Sequence, residues 1–535
     1  MTGSQESRTP APPRDLPGRF SLLIRGGTVI DGTGGPARRA DLGVAGDRLA
    51  AVGDLPRAEA DRVIEAAELA VAPGFIDIHS HSDFTILIDP RAEGKVRQGV
   101  TTEAIGMCGT SASPLAGEKL ARARERNKNR DLKIDWTDLE GYRGRVRERG
   151  TAVNLVPLTG QGNLRGSVVG YGERAASREE MKKMRALLER ELEAGSRGIS
   201  TGLVYPPGVF TGFEELAGLL RPVAEAGGIY STHIRDESDR VEESVGEALA
   251  LARETGVSLQ IAHLKAQGRR NWGRLERCLE RIEAARGEGL AVHCDRYPYL
   301  ASATDLDILL PPWAVAGGPE AELKRLKDPA TRKRLRQEID REDWEAVLIS
   351  RVSGPDNREL EGLNLDEAAR LRGVDPSELF FSLLVEEELA VAALFFGMSS
   401  DNLVRVLAKP YAMVASDASA RAVSGPLSRG FPHPRTFGTF PRVLGDFVRE
   451  GALTLPGAVH KMTGLPAAKL GLADRGVIRE GAAADLTLFD PEKVRPRSTY
   501  REPLNYPEGI EYVIVNGRTV VEPSGHTGRL PGVFL

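Results

Sequence analysis

The chain is poor in cysteine: its 535 residues contain three, Cys108, Cys278 and Cys294. That number is odd and too small for a disulfide framework, so a reducing compartment, the cytoplasm, is the expectation. The sequence lacks any run of about 18 apolar residues, which excludes a membrane-spanning helix. The opening stretch MTGSQESRTPAPPRDLPGR has no apolar segment of the secretory kind. Its proline and polar content predicts a disordered leader over residues 1–18. Excess positive charge is absent too. Lys and Arg total 72 against 76 Asp and Glu, a net charge of -4, the opposite of a nucleic-acid footprint. No GxGxxG follows a first strand, and GQGN at 160–163 is too short to replace it, which argues against a doubly wound nucleotide-binding sheet.

What remains is a globular composition, 41% hydrophobic and 28% charged, in a chain long enough for a large core and more than one domain. Both ends read as short strands with tight turns. SLLIRGGTVIDG, ADLGVAGDRLAAVG and DRVIEAAELAVAPG come first, and ADLTLFD and EYVIVNGRTVVEP close the chain. Neither end has enough strands to stand alone, so 19–72 and 468–535 are expected to pair into one small β-sandwich.

Between them, strand-like runs alternate with helical ones. Eight strands are expected: VAPGFIDIH, TTEAIGM, AVNLVPL, GISTGLV, GIYSTHI, SLQIAHL, LAVHCDRYPY and YAMVASD. Three of the intervening helices, beginning at SREEMKK, EESVGEA and LERCLER, show apolar residues at 3–4 spacing and end at Gly. Eight such repeats predict an α/β fold, a (β/α)8 TIM-like barrel over 73–467. A charged interval at about 305–361 breaks the rhythm and is expected to be an insertion over the barrel mouth.

Potential metal ligands sit at the ends of these strands. His79 and His81 close the first strand in GFIDIHSHSD; at i and i+2 they point to one face and form half of a divalent-ion site, with Asp77 pointing inward below them. Cys108 ends strand two between Met107 and Gly109, where a thiolate would bind zinc. Cys278 and Cys294 read as small buried hydrophobes. His233 ends strand five and His263 strand six. One such histidine is usually structural, but five candidate ligands reaching one rim are not explained that way. Asp417 ends strand eight and is suited to general acid–base work beside a metal. Lys265, at i+2 from His263, faces the same cavity, and Arg435 in HPR can grip a carboxylate through paired hydrogen bonds.

The motifs PGFIDIHSHSD, GMCGTSASP, GISTGLVYPPG, STHIRDE, AHLKAQG, DRYPYLAS, SDAS and HPRTFGTFPRVLG together resemble the D-aminoacylase (N-acyl-D-amino-acid deacylase) branch of the amidohydrolase superfamily. The likeness runs from about residue 70 to 445, and VIREGAAADLTLFD extends it. The resemblance implies zinc-dependent hydrolysis of N-acyl-D-amino acids. Cys108, His233 and His263 would hold a tight zinc. His79 and His81, with Asp417 and the Cys108 thiolate, would form a second position, weaker or vacant. Asp417 would be the catalytic acid–base, and Lys265, Tyr297, Ser302 and Arg435 would fix the substrate carboxylate. The partner is a small molecule, with no nucleic acid or membrane. Met107 and Ala418 depart from the Asn and Gly often found in relatives. Two other readings compete. A cyclic amidase of the dihydroorotase or hydantoinase kind shares the histidines, but it normally places a carboxylated lysine where this chain has Cys108 and lacks HPRTFGTFPR. A non-catalytic barrel scaffold typically loses ligands that are all retained here.

Overall fold

The structure, a computed structural model, describes residues 19–128, 132–339 and 343–535. The leader expected to be disordered, 1–18, lies outside the described residues. Among those described, no helix is long and apolar enough to cross a membrane.

Strands from both chain ends do pair. Leu486–Phe489 runs antiparallel to Ala70–Pro73, with Leu488 opposite Val71, and Ala70–Pro73 pairs on its other edge with Leu22–Val29. The expected sandwich is therefore hydrogen-bonded as one sheet of nine strands. Leu22, Ile24, Leu42, Leu49, Val71, Leu486 and Ile514 form its buried core. The hairpin joining Ile510–Val515 to Arg518–Glu522 turns at Asn516 and Gly517, both at positive φ (46° and 72°), the conformation that a two-residue hairpin loop demands.

The middle of the chain carries parallel strands: β1 (Phe75–Asp77), β2 (Val100–Ile105), β3 (Asn154–Pro157), β4 (Gly198–Gly202), β5 (Ile229–His233), β6 (Ser258–Ile261), β7 (Val292–Arg296) and β8 (Ala412–Val414). β1, β2 and β3 pair in that order. Thr159–Gly160 continues β3 and pairs with β4, and β4 through β8 follow in order. A bridge between Ser80 and Ala418 links the ends of β8 and β1. The strands thus form two parallel sheets that the chain at Leu158 and this bridge join into a cycle.

The helices between strands form where the pattern predicts. In the helix Arg178–Glu193, Ser177 accepts from Glu180 N while Glu180 returns a bond to the Ser177 N–H, a reciprocal cap. The helix Val241–Thr255 stops at Gly256, at φ 72°.

The insertion is larger than expected. Ala301–Asp305, Ala392–Phe396 and Val347–Arg351 form an antiparallel sheet, so the inserted unit begins before 305 and continues past 361. The helices Leu365–Arg372 and Pro376–Glu386 lie past the expected end of the insertion. Their apolar faces bury Leu365, Phe380 and Phe381 with Leu306, Leu335 and Phe395 in a separate core.

One buried cation ties β1, β2 and β8 together. Lys95 Nζ donates to Asp77 Oδ2 at 2.7 Å, Ser416 Oγ at 2.9 Å and the Ala418 carbonyl at 2.8 Å, and lies 2.8 Å from Glu103 Oε1. Lys95, Asp77 and Glu103 are all fully buried. Removing the cation leaves two buried carboxylates with only neutral partners, the Ser416 N–H and hydroxyl at Asp77 and the Ser80 and Ser82 hydroxyls at Glu103. Lys95→Met is therefore expected to destabilise the fold by about 3–5 kcal/mol, measured as a lowered urea midpoint.

Candidate metal centre

The candidate ligands gather at the carboxyl ends of the parallel strands. His233 is the last residue of β5, while His79, His81, Cys108, His263 and Asp417 lie just beyond the ends of β1, β2, β6 and β8. Three of them are strained: Cys108, His263 and Asp417 adopt φ of 50°, 34° and 50°, a region costly for residues with a β-carbon and held only where the surroundings enforce it. The Cys108 loop also comes unusually close to its neighbouring strand. A β-carbon at Gly202, on β4, would lie 2.3 Å from the Cys108 carbonyl oxygen.

Ligand atoms of His79, His81, Cys108 and Asp417 lie within 4.8 Å of one another, as do those of Cys108, His233 and His263. The sulfur is common to both groups, so two adjacent cation positions would share it. His79 Nε2 is 3.3 Å and His263 Nε2 3.7 Å from Cys108 Sγ. Asp417 Oδ1 is 2.9 Å from His81 Nε2 and 3.4 Å from His79 Nε2.

The charges are mutually dependent. Withdrawal from water would keep the Cys108 thiol protonated, but His79, His233 and His263 hold its pKa well below the ordinary range. The same withdrawal would lower the His79 imidazole, yet Cys108, Asp295 and Asp417 raise it well above normal. His81 and His233 are each raised to about 9, against desolvation, by Asp417 and Glu237 respectively, together with Cys108. Burial would raise Asp417, but Arg435, His79 and His81 keep it well below the usual carboxylate range. A divalent cation answers the same demand as these protons.

The donor chemistry fits zinc, which takes thiolate and imidazole ligands. His233 supplies a further sign of fit. Its Nε2 faces Glu237 Oε2 at 3.4 Å, while its Nδ1 is buried without a hydrogen-bond partner. A buried ring nitrogen rarely goes unused.

The expected substrate anchors surround this cluster. Arg435 Nη1 is 2.8 Å from Asp417 Oδ2, and its guanidinium lies 4.5 Å over the Tyr297 ring. The Tyr297 hydroxyl is buried without a partner. Tyr299 points elsewhere, against His433 and Tyr500, so of the two tyrosines Tyr297 adjoins the site. Lys265 Nζ donates to Glu237 Oε1 at 2.5 Å and lies 3.0 Å from His263 Nδ1. Ser302 reaches the site only indirectly, its Oγ 3.4 Å from Gln267 Oε1, two residues beyond Lys265.

Several contributors were not singled out by sequence. Asp295, fully buried on β7, lies 3.3 Å from His79 Nδ1, accepts from the His263 backbone N–H at 2.8 Å and from Gln260 Nε2 at 2.5 Å. His293, two residues earlier on the strand, takes no part in this support. His293 is held to about 3 by burial and by the charges of Lys469 and Arg286. His433, which read as a loop residue, is buried; its Nδ1 accepts from Arg435 N at 2.9 Å and its Nε2 donates to the Ala301 carbonyl at 2.9 Å. Tyr205 packs edge-on to His233 at 5.1 Å, and its hydroxyl accepts from Thr304 of the insertion at 3.1 Å. Burial, with the Cys108 charge, keeps that phenol well above its ordinary pKa. Glu237 faces Lys265, His263 and His233; their charges overcome burial and hold it well below the usual range. The available signal was membership of the quoted motifs: Asp295 opens DRYPYLAS, Tyr205 stands in GISTGLVYPPG and Glu237 closes STHIRDE.

A model of the amidohydrolase family matches residues 425–521. Over nearly its whole length the chain is similar to curated enzymes. It is 36% identical to a D-aminoacylase of Alcaligenes xylosoxydans xylosoxydans, covering 96% of this chain and 97% of that one. It is 38% identical to an N-acyl-D-glutamate deacylase of the same organism, covering 96% of each. Among solved structures, N-acyl-D-glutamate deacylase from Bordetella bronchiseptica, complexed with zinc and a phosphonate inhibitor that mimics the tetrahedral intermediate, superposes with a TM-score of 0.83 at 36% identity, covering 97% of this chain and 99% of that one. With identity of this order spanning both chains almost end to end, this chain belongs to the D-aminoacylase (N-acyl-D-amino-acid deacylase) family of amidohydrolases.

Proposed function

We propose that this chain is a zinc-dependent amidohydrolase that cleaves the linear amide of N-acyl-D-amino acids, releasing a carboxylate and a free D-amino acid. The observation that carries the reading is the shared thiolate of Cys108, set between two ligand groups and beside a carboxylate, Asp417, that is itself paired with a buried arginine. Selection of the D configuration rests on the relatives. We read the cycle of parallel strands as a (β/α)8 barrel over 73–467 and the terminal sheet as a second, split domain of 19–72 and 468–535. The leader 1–18 is left outside both.

Cys108, His233 and His263 would hold the tight zinc, with His79, His81, Asp417 and the same sulfur forming a second position. Zinc bound there supplies a Lewis acid and lowers the pKa of a water molecule towards about 7. Asp417, an ionised carboxylate at neutral pH, accepts the proton of the attacking water and returns it to the departing amine nitrogen. Arg435 and Lys265 carry the positive charge that binds the substrate's α-carboxylate, and the Tyr297 hydroxyl gains in that carboxylate the acceptor it otherwise lacks. Ser302 would act more remotely, through Gln267. Holding the α-carboxylate at one edge fixes the chiral centre relative to the attacked carbonyl, which is how configuration is selected. Tyr205, kept protonated, would supply an O–H donor on the His233 side of the cluster. The reducing cytoplasm suits a thiolate ligand, and all three cysteines are free.

A panel of N-acetyl-D-amino acids (Met, Leu, Phe, Glu, Asp) with L controls and a hydantoin tests the reading. Hydrolysis of at least one D substrate, with its L enantiomer and the hydantoin inert, is expected. Turnover of the hydantoin alone would replace the reading with a cyclic amidase. Asp417→Asn is expected to lower kcat by about 10²–10⁴-fold while the purified protein retains zinc by elemental analysis. Cys108→Ser should instead lose the metal first. Its zinc content is expected to fall after dialysis under conditions in which the parent keeps its own, because a serine hydroxyl stays protonated and binds zinc poorly.

A further inference from the structure

Glu237 is neither one of the proposed ligands nor one of the proposed substrate anchors, yet it touches both. It stands four residues after His233 in STHIRDE, and its side chain is 12% exposed. Oε1 accepts from Lys265 Nζ at 2.5 Å and lies 2.9 Å from His263 Nδ1, while Oε2 lies 3.4 Å from His233 Nε2. An imidazole offers a lone pair to a cation from one nitrogen only when the proton sits on the other. Both oxygens of Glu237 face the outer nitrogens of the two rings. His263 then presents Nε2 towards Cys108, and His233 is left with the unpartnered Nδ1.

We infer that Glu237 is a positioning residue with two effects: it fixes the tautomer and orientation of His233 and His263 for the cation, and it holds Lys265 where the α-carboxylate of the substrate arrives. The second effect rests on the proposed deacylase reaction; the first does not. One carboxylate thereby links metal affinity to substrate affinity. A carboxylate suits the place because Lys265 donates to it and both ring nitrogens face it, so that a proton carried on the outer nitrogen of either ring finds an acceptor there. A neutral amide in its place has one accepting end only. With its oxygen towards Lys265 and His263, its NH₂ group faces His233 Nε2 and favours the tautomer protonated on Nδ1, the atom meant for the metal. Turned the other way, the NH₂ group opposes the Lys265 ammonium and His263 Nδ1.

The test compares Glu237→Gln with Lys265→Met. Zinc ion alone is the first probe, titrated against a chromophoric chelator. Glu237→Gln is expected to bind zinc about 10–100-fold more weakly than the parent, while Lys265→Met stays within about twofold. The second readout is steady-state kinetics at saturating zinc on the best N-acetyl-D-amino acid. Both variants are expected to raise KM, by about tenfold or more for loss of a charge-assisted contact, with a smaller change in kcat. Should Glu237→Gln not fold, Glu237→Asp keeps the charge but shortens the reach, and the same sign of change in zinc affinity is expected. Zinc affinity within about twofold of the parent overturns the metal effect. Weakened zinc binding with KM unchanged overturns the substrate effect. If the parent hydrolyses no N-acyl-D-amino acid, the deacylase reading falls and takes the substrate effect with it, and the zinc titration still decides the metal effect.

Discussion

A negative sulfur withdrawn from water needs positive charge around it, and the site follows from how this chain meets that need at Cys108. Imidazoles arrive from β1, β5 and β6, and His79, His233 and His263 together hold the pKa of the thiol well below its ordinary range. Three of those rings are in turn backed on their far side by a carboxylate, Asp295 at His79 and Glu237 at His233 and His263, while Asp417 faces His79 and His81 from within the cluster. The result is alternating charge radiating from one sulfur. Removing a carboxylate from the outer layer disturbs the inner one, because each ring must keep its proton on the outward nitrogen to offer the inward one.

This arrangement is held in a strained backbone. Cys108, His263 and Asp417 all turn through positive φ immediately after their strands, and the protein keeps them there by close packing and buried charge. Gly202 lets the Cys108 loop approach β4. Lys95, with Asp77, Glu103 and Ser416, clamps the strands that carry His79 and Asp417. Asp295 bonds the very backbone N–H of His263.

The sequence was most informative where chemistry is carried by a rare residue at a strand end. His79, His81, Cys108, His233, His263 and Asp417 could be picked out because each stood after an apolar run, and the structure sets all six together. Helix limits such as Ser177 and Gly256 were legible for a similar reason, since caps are local chemistry. The insertion was less so. Its helices at 365–372 and 376–386 carry the same apolar periodicity as barrel helices, and periodicity says that a face is buried without saying against what. His433 looked like an ordinary loop residue until the fold brought Arg435, Tyr297 and Tyr299 around it. The choice between Tyr297 and Tyr299 turned on ring orientation, which the alternation around Pro298 left open.

By itself, the sequence determined the ligand types, the alternation of strands and helices, the union of the two chain ends and, through its motifs, the family. Those properties depend on residue identity and on short-range periodicity. The tertiary structure decided which nitrogen of each imidazole faces inward, which carboxylate stands behind it, and how Arg435 and Lys265 are paired before any substrate is present. Such relations join atoms as far apart in the chain as His79 and Asp417 and depend on distances of a few tenths of an ångström. Local pattern carries no record of them, because buried electrostatics is set by neighbours in space.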